Sequence, residues 1–557
     1  MSDLDLLVPD ADGYHHPATE EELAALVRHA YAYRRQLRVR GAGHTAPTAA
    51  IQTDDGPGAK NEINVMLDRY RAVRWIDRAN GIVEVEAGCN LGIDPRDPTG
   101  TSTLENGLLH QLDAAGWALP TLGGITHQTV SGFLSTGSSG GTIRHSIADA
   151  VVAVRFIDGT GEVRTASRAE APDLLAAIGV AFGLLGVIST VTFACVPRFD
   201  IQGQESITGY DDCPVDVFGG GSADRPSLES FLRDAEYARL MWWPQKGFER
   251  IVVWQARAVP SEPTFERRPY TEIARPQQLI AGLLLTILGN LDDLSAVPPK
   301  LDPIFDQVDD EIEAALERFG LADPIAATLG DVVAAILEGG VDGALDFPGM
   351  QLLARKLRER LSDVLPFVLS GFVPLDRETR GGEPQRVQDH AWLGLPMDNG
   401  VDDDLVPMWF SELWVPLSKA HELVTVLREH FERGGLAATG TFAFELYGSK
   451  ASPYWLSPSF GEDAVRVDLL WFARNAGSPE TDFYPQFWEL LRPLGFRLHW
   501  GKYLPVDQTP ERRWARYIAD RHPRWSDFAA LRRTLDPGGI FLTEYWRERL
   551  LLDDVTG

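Results

Sequence analysis

The sequence predicts an α+β protein, and three observations carry that prediction. Up to about residue 200, helical patterns alternate with short β-like runs. Residues 274–372 read as largely helical. Strand-like runs return after that stretch. In order, Glu20 to Tyr33 has the pattern of an amphipathic helix, and Leu37-Arg38-Val39-Arg40 reads as the strand after it. Gly203 to Pro226 is rich in Gly, Asp and Pro and reads as a linker or loop. Arg250 to Ala256 reads as a strand. Asp310 to Phe319 and Gln351 to Leu365 carry apolar positions at helical spacing, which makes 274–372 an inserted helical layer. Strands are expected again at Val406–Phe410, Phe442–Tyr447 and Val465–Phe472. No internal repeat stands out.

The 557 residues allow a sizeable core, and the net charge of −28 opposes two partner classes. Nucleic acid and anionic lipid both call for a basic face. Cys89, Cys195 and Cys213 have neither C-x-x-C nor metal spacing, so no disulfide framework and no metal are expected. Met1 to Asp5 has no secretory pattern, and the longest apolar run, Leu279 to Leu288, is too short to span a bilayer. The expected location is cytoplasmic.

The chemistry concentrates in two glycine tracts. Arg40-Gly41-Ala42-Gly43-His44-Thr45 ends the first strand, and Pro120 to Gly141 is a longer Gly/Ser/Thr run. Glycines at such points let backbone N–H groups close on a diphosphate. Two tracts in one region point to a large phosphate-bearing cofactor. The first formally fits G-x-G-x-x-A, but Pro47 and an acidic, Gly-rich stretch follow where a Rossmann unit opens its helix.

In their order and spacing these tracts resemble the FAD domain of the vanillyl-alcohol-oxidase/para-cresol-methylhydroxylase superfamily. Two later segments share the resemblance: Ala148 to Gly161, similar to the family's paired strands and turn, and Gly183 to Phe193, similar to the strand on the adenine side. It covers about residues 14–200. It implies FAD held by Arg40, Gly41, Ala42, Gly43, His44 and Thr45 of the first loop. From the second it implies Pro120, Gly123, Gly124, Thr126, Thr129 and Gly132, then Ser135, Thr136, Gly137, Ser138 and Gly141. Gly186, Val187 and Ile188 complete the set on the adenine side. In relatives with this loop the histidine is bonded to the flavin 8α-methyl, which makes His44 a tether. Leu119 stands where some relatives carry a second, cysteine tether, so a single bond is expected.

The C-terminal part resembles the tails of aldonolactone, alditol and type II cholesterol oxidases, through Phe496-Arg497-Leu498-His499-Trp500-Gly501-Lys502 and Leu535-Asp536-Pro537-Gly538-Gly539-Ile540-Phe541. The implied layout is a two-lobed FAD-binding domain of the para-cresol-methylhydroxylase type over 1–200. An α+β cap with the helical insertion follows over 201–510, and a segment, 511–557, returns to the FAD domain.

Four side chains are candidates for catalysis. Lys502 matches the family's active-site lysine and would offset charge on the reduced flavin. Strand alternation would put it on one face with Trp500 and Leu498. Glu445, flanked by Phe444 and Leu446, is a candidate base on a strand face with Ala443 and Tyr447. Relatives place Glu-x-Arg here, but this chain has Tyr447, and Arg466 on the next strand is the candidate for the missing cation. His15-His16 reads as a solvated pair, His127 and His145 as polar filler or flavin neighbours. Trp242, Trp243, Trp409, Trp414 and Trp471 read as core or cavity wall.

The resulting expectation is an FAD-dependent oxidase that takes hydride from an alcohol and reduces O2 to peroxide, with a bulky apolar or sterol-like substrate favoured. The alternatives are a sugar-lactone or polyol oxidase, a dehydrogenase with another acceptor, and a catalytically silent flavin-binding protein.

Overall fold

The computed structural model describes residues 8–271, 273, 275–291, 350–507 and 509–552. The helical spacing read in Asp310–Phe319 lies outside the described residues.

Helix α1 spans Glu20–Tyr33, as its pattern predicts. Thr19 caps it by accepting from the Glu22 N–H, three glutamates fill its first turn, and Leu23, Leu26, Val27 and Ala30 form its buried face. Strand β1 (Gln36–Arg40) pairs in parallel with β2 (Glu62–Met66). The chain leaves β1 through the first glycine loop without opening an α-helix; a single 3-10 turn, Thr48–Ala50, follows. Strands β3 (Val73–Asp77) and β4 (Ile82–Glu86) come next, then α2 (Val130–Ser135) inside the second glycine tract. Strands β5 (Val151–Ile157), β6 (Val163–Ser167) and β7 (Val187–Ala194) complete an antiparallel sheet of order β3-β4-β7-β5-β6.

The second sheet has eight strands. Strand β8 (Phe199–Gly209) is followed by β9 (Tyr237–Trp243) and β10 (Arg250–Pro260). Helices α3 (Arg275–Gly289) and α4 (Leu361–Phe372) lead to β11 (Gln385–His390) and β12 (Met408–Pro416). Helix α5 (Ala420–Gly434) precedes β13 (Phe444–Ser449), β14 (Ala464–Phe472) and the short β15 (Arg497–Leu498). Their order is β11-β8-β10-β9-β13-β14-β12-β15.

Three expectations are corrected. Gly203–Gly209 is strand rather than linker. Gly203 serves close strand packing there, since a Cβ would lie 2.2 Å from the Gln255 carbonyl oxygen. His15 and His16 are buried; His16 sits between Asp68 and Asp12 at 2.5 and 3.2 Å. Burial alone would lower its pKa, but the two carboxylates outweigh that and raise it. The strand before Lys502 ends at Leu498, so face alternation does not reach the lysine.

The end of the chain packs on β1. Leu37 N–H donates to the Ile540 carbonyl at 2.9 Å, and Arg38 to that of Phe541 at 3.2 Å. The Asp536 carboxylate shapes this turn by accepting from the Ile540 and Phe541 N–H groups. Cys89, Cys195 and Cys213 are free and buried. Among the described residues no helix is long and apolar enough to cross a membrane.

Candidate active site

A cavity of about 690 Å³ runs between the two glycine tracts and the inner face of the eight-stranded sheet. Strand register builds that face row by row. Antiparallel pairing sets Glu412 opposite Asp468 and Asp468 opposite Glu445, with Met241 next in line. Two residues along, Trp414, Arg466 and Tyr447 form the adjacent row on the same face, and Arg239 of β9 extends it. A row of carboxylates thus lies against a row holding two guanidinium groups; Glu412, Glu445, Asp468, Tyr447 and Arg466 line the cavity wall, while Arg239 and Trp414 are buried and do not line it.

The polar contacts are specific. Tyr447 donates its hydroxyl to Glu445 at 3.0 Å. Arg239, fully buried, pairs with Asp398 at 2.6 Å and approaches Glu445 to 3.7 Å. It also donates to the Tyr270 hydroxyl at 3.0 Å, which in turn donates to Glu205 at 2.5 Å. Arg466 faces Tyr447 as strand pairing predicts, 4.0 Å over its ring, but its ion pair is with Glu412 at 3.4 Å. The cation paired with Glu445 is therefore Arg239, from the far side of β13, and not Arg466 alone.

Burial sets the protonation pattern. Asp468 is raised well above the usual carboxylate range, first by burial and then by Glu412; its Oδ1 has no hydrogen-bond partner. Burial would also raise Glu412, but Arg466, His499 and Lys502 outweigh it and hold it down. Replacing Arg239 with Met leaves its two carboxylates without their buried cation. The expected cost is about 3 kcal/mol, read by urea unfolding.

Lys502 reaches the same cavity from a turn, its N–H donating to the His499 carbonyl at 3.2 Å. Trp500 anchors that turn: its indole donates to Leu456 at 2.6 Å, and its ring stacks on Phe182 at 4.4 Å. Nζ of Lys502 lies 3.7 Å over the Phe410 ring. Burial lowers the Lys502 pKa, while Glu412 and Asp468 oppose the shift. His499 accepts from Gly501 N–H at Nδ1, which leaves Nε2 to donate to Ser138 at 3.3 Å.

On the opposite wall stand Gly41, Ala42, Gly43, His44 and Thr45, then Gly123, Gly124, Thr129 and Gly132. Ser135, Thr136 and Ser138 continue the wall, as do Gly186, Val187 and Ile188. Arg40, Pro120, Thr126, Gly137 and Gly141 are not among the residues lining it. Pro120 accepts from Tyr237, Thr126 N–H donates to Asn399, and Arg40 lies beneath the loop at Gly43. A Cβ at Gly141 would lie 2.0 Å from the Ala238 carbonyl oxygen. Gly141→Ala is accordingly expected to lower stability by about 1–3 kcal/mol, seen as a fall in Tm.

This wall fits FAD on its own chemistry. A Cβ at Gly41 would come within 2.6 Å of Thr129 Oγ1, so the backbone is left bare toward the cavity. Gln128, which lines the wall, has its Oε1 buried without a hydrogen-bond partner, and outside the lining the same holds for Arg40 Nε and His127 Nδ1. Burial, with His127, Lys502 and Arg96 adding to it, pushes the His44 imidazole down to about 3. It is therefore neutral at ordinary pH. Asp94 and His127 stand beside it, all three presenting ligand atoms within 4.8 Å of one another. Spacings of 50 and 83 residues hid that cluster from the sequence. His145 instead pairs with Glu236.

Sequence reasoning missed Arg239, Glu412, Asp468 and His499. The available signal was charge within an otherwise apolar strand, a single arginine in Tyr237 to Trp243 and Arg466 with Asp468 in Val465 to Phe472. Of the tryptophans, Trp243 and Trp409 line the cavity while Trp242 and Trp414 are core. Phe442 lines it as well, because β13 begins only at Phe444.

Comparison with known proteins agrees with this geometry. The family model described as "FAD binding domain" matches residues 11–93, and "D-arabinono-1,4-lactone oxidase" matches 397–549. L-gulonolactone oxidase of Mus musculus is 29% identical, over 96% of this chain and 93% of its own. A putative D-arabinono-1,4-lactone oxidase of Neurospora crassa is 26% identical, over 97% and 83%. The crystal structure of cholesterol oxidase from B. sterolicum superposes with a TM-score of 0.61 at 14% identity, covering 96% of this chain and 93% of that one. The chain thus joins an FAD-binding domain to a region similar to the D-arabinono-1,4-lactone oxidases, and its homologues mark it as an FAD-dependent oxidoreductase.

Proposed function

We propose that the protein oxidises a hydroxyl-bearing carbon of a sugar lactone or polyol, with O2 as the final acceptor and hydrogen peroxide as the second product. The lactone-oxidase relatives favour this substrate class over the sterol-like alcohol that the sequence favours. The observation that carries it is the group of charged side chains on the cavity wall, Glu412, Glu445, Asp468, Arg466 and Lys502, which offers donors and acceptors to several hydroxyls at once. A sterol presents a single hydroxyl and would leave most of them unmatched.

Bound FAD supplies the hydride acceptor. Glu445, oriented by Tyr447 and Arg239, accepts the proton of the reacting hydroxyl. Asp468, kept neutral, donates a hydrogen bond to a substrate oxygen. Lys502 holds a fixed cation where negative charge develops. The neutral His44 is the attachment point, as the single tether. In this reading 1–200 holds the cofactor, 201–510 holds the substrate with its helical insertion at about 274–372, and 511–557 braces the first unit.

The test is anaerobic mixing of the yellow protein with D-arabinono-1,4-lactone, L-gulono-1,4-lactone and simple polyols. Bleaching near 450 nm by a member of this panel is expected. Bleaching by sterols alone would overturn the substrate class, and bleaching by no alcohol would leave a silent flavin-binding protein.

A further inference from the structure

The cavity extends past its charged residues into apolar space. Beyond the charged rows the same sheet face turns apolar, at Ile207, Met241, Trp243 and Val252. Helices α3 and α4 close over it with Ala281, Leu285, Leu369 and Phe372, and these side chains line the same continuous space as Glu445 and Lys502. All eight belong to a hydrophobic cluster separate from the main core of the protein. Side chains that border a void forgo contacts they would make in a closed core. Open apolar space beside a charged wall is therefore the shape of a binding compartment.

Resting on the reading of the site as a lactone or polyol oxidase, we propose that the substrate is an amphiphile: a hydroxylated head on the charged rows, carrying an apolar alkyl or ring substituent that fills the compartment under α3 and α4. The two ends cannot exchange places. A hydroxylated ring among Trp243, Leu285 and Phe372 would lose its hydrogen bonds, and an apolar tail would leave Glu412, Glu445 and Asp468 desolvated without return. Head-first entry sets the reacting carbon beside Glu445.

The experiment is a chain-length series on the intact flavoprotein: 1-O-methyl-, 1-O-butyl- and 1-O-octylglycerol, with D-arabinono-1,4-lactone and L-gulono-1,4-lactone as references. Peroxide formation and anaerobic bleaching are both read. The expected result is turnover of a lactone, together with a rise in kcat/KM of about threefold to fourfold per added methylene until the compartment is full. In Ala281→Phe, which narrows it, the octyl-to-methyl ratio is expected to collapse toward one; a Tm measurement checks that this variant is folded. Lactone turnover with kcat/KM flat or falling along the series overturns the amphiphile and leaves the lactone reading standing. A steep series with inert lactones upholds the compartment and overturns the lactone reading. Inert compounds throughout overturn both.

Discussion

Replacing Lys502 with Met is expected to lower kcat by about 10²–10³-fold, the scale of losing one preorganised charge at a reacting centre. The lysine is held by a turn, a buried tryptophan and a ring contact, so the protein meets the cost of desolvating it during folding and not during reaction. Met keeps the apolar stem and removes only the cation, and the variant is expected to fold with near-normal Tm. Lys502→Arg is not expected to restore the rate, because a planar guanidinium does not place a point charge over Phe410. The pH profile has a definite sign. Burial lowers the Lys502 pKa from 10.5, so activity should fall on the alkaline side below that value as the cation is lost. That limb should disappear in Lys502→Met.

Glu445→Gln carries the second large effect. Removing a positioned general base costs about 10²–10⁴-fold, here measured as kcat/KM from peroxide formation. Gln is nearly isosteric and can still accept from Tyr447, so packing survives while the proton acceptor is gone. Tyr447→Phe, which deletes only the orienting hydrogen bond, should have a smaller effect. Its loss is expected in kcat more than in KM, the pattern of a positioning residue.

How much of this was legible in the sequence depended on the range of the forces involved. Helix α1 was readable to the residue because its cap, acidic first turn and apolar stripe are all local. The glycine loops were readable because only bare backbone admits the close approach seen at Gly41. Strand β8 was not, since Gly203 looks like a turn residue until the strand beside it is known. The same limit hid the charge rows. Glu412, Asp468 and Glu445 come from strands far apart in the chain, and only register makes them neighbours. Arg239 supplies the cation that the local Glu-x-Arg pattern lacked, from a strand two hundred residues earlier. The face of Lys502 was misread because Trp500 draws the chain out of β15 into a turn. Of the stretch read as helical, α3 and α4 are among the described residues, and their place on the cavity wall could not be read from composition.

The most direct test of the account is to precipitate the purified yellow protein in acid and measure where the flavin absorbance goes. A flavin seated between the glycine loops and the cap sheet, bonded through the neutral His44, predicts colour and flavin fluorescence in the pellet, and loss of both from the pellet of His44→Ala. Flavin recovered in the supernatant of the wild-type protein would contradict the tether. A colourless protein that takes up no FAD would contradict the site itself.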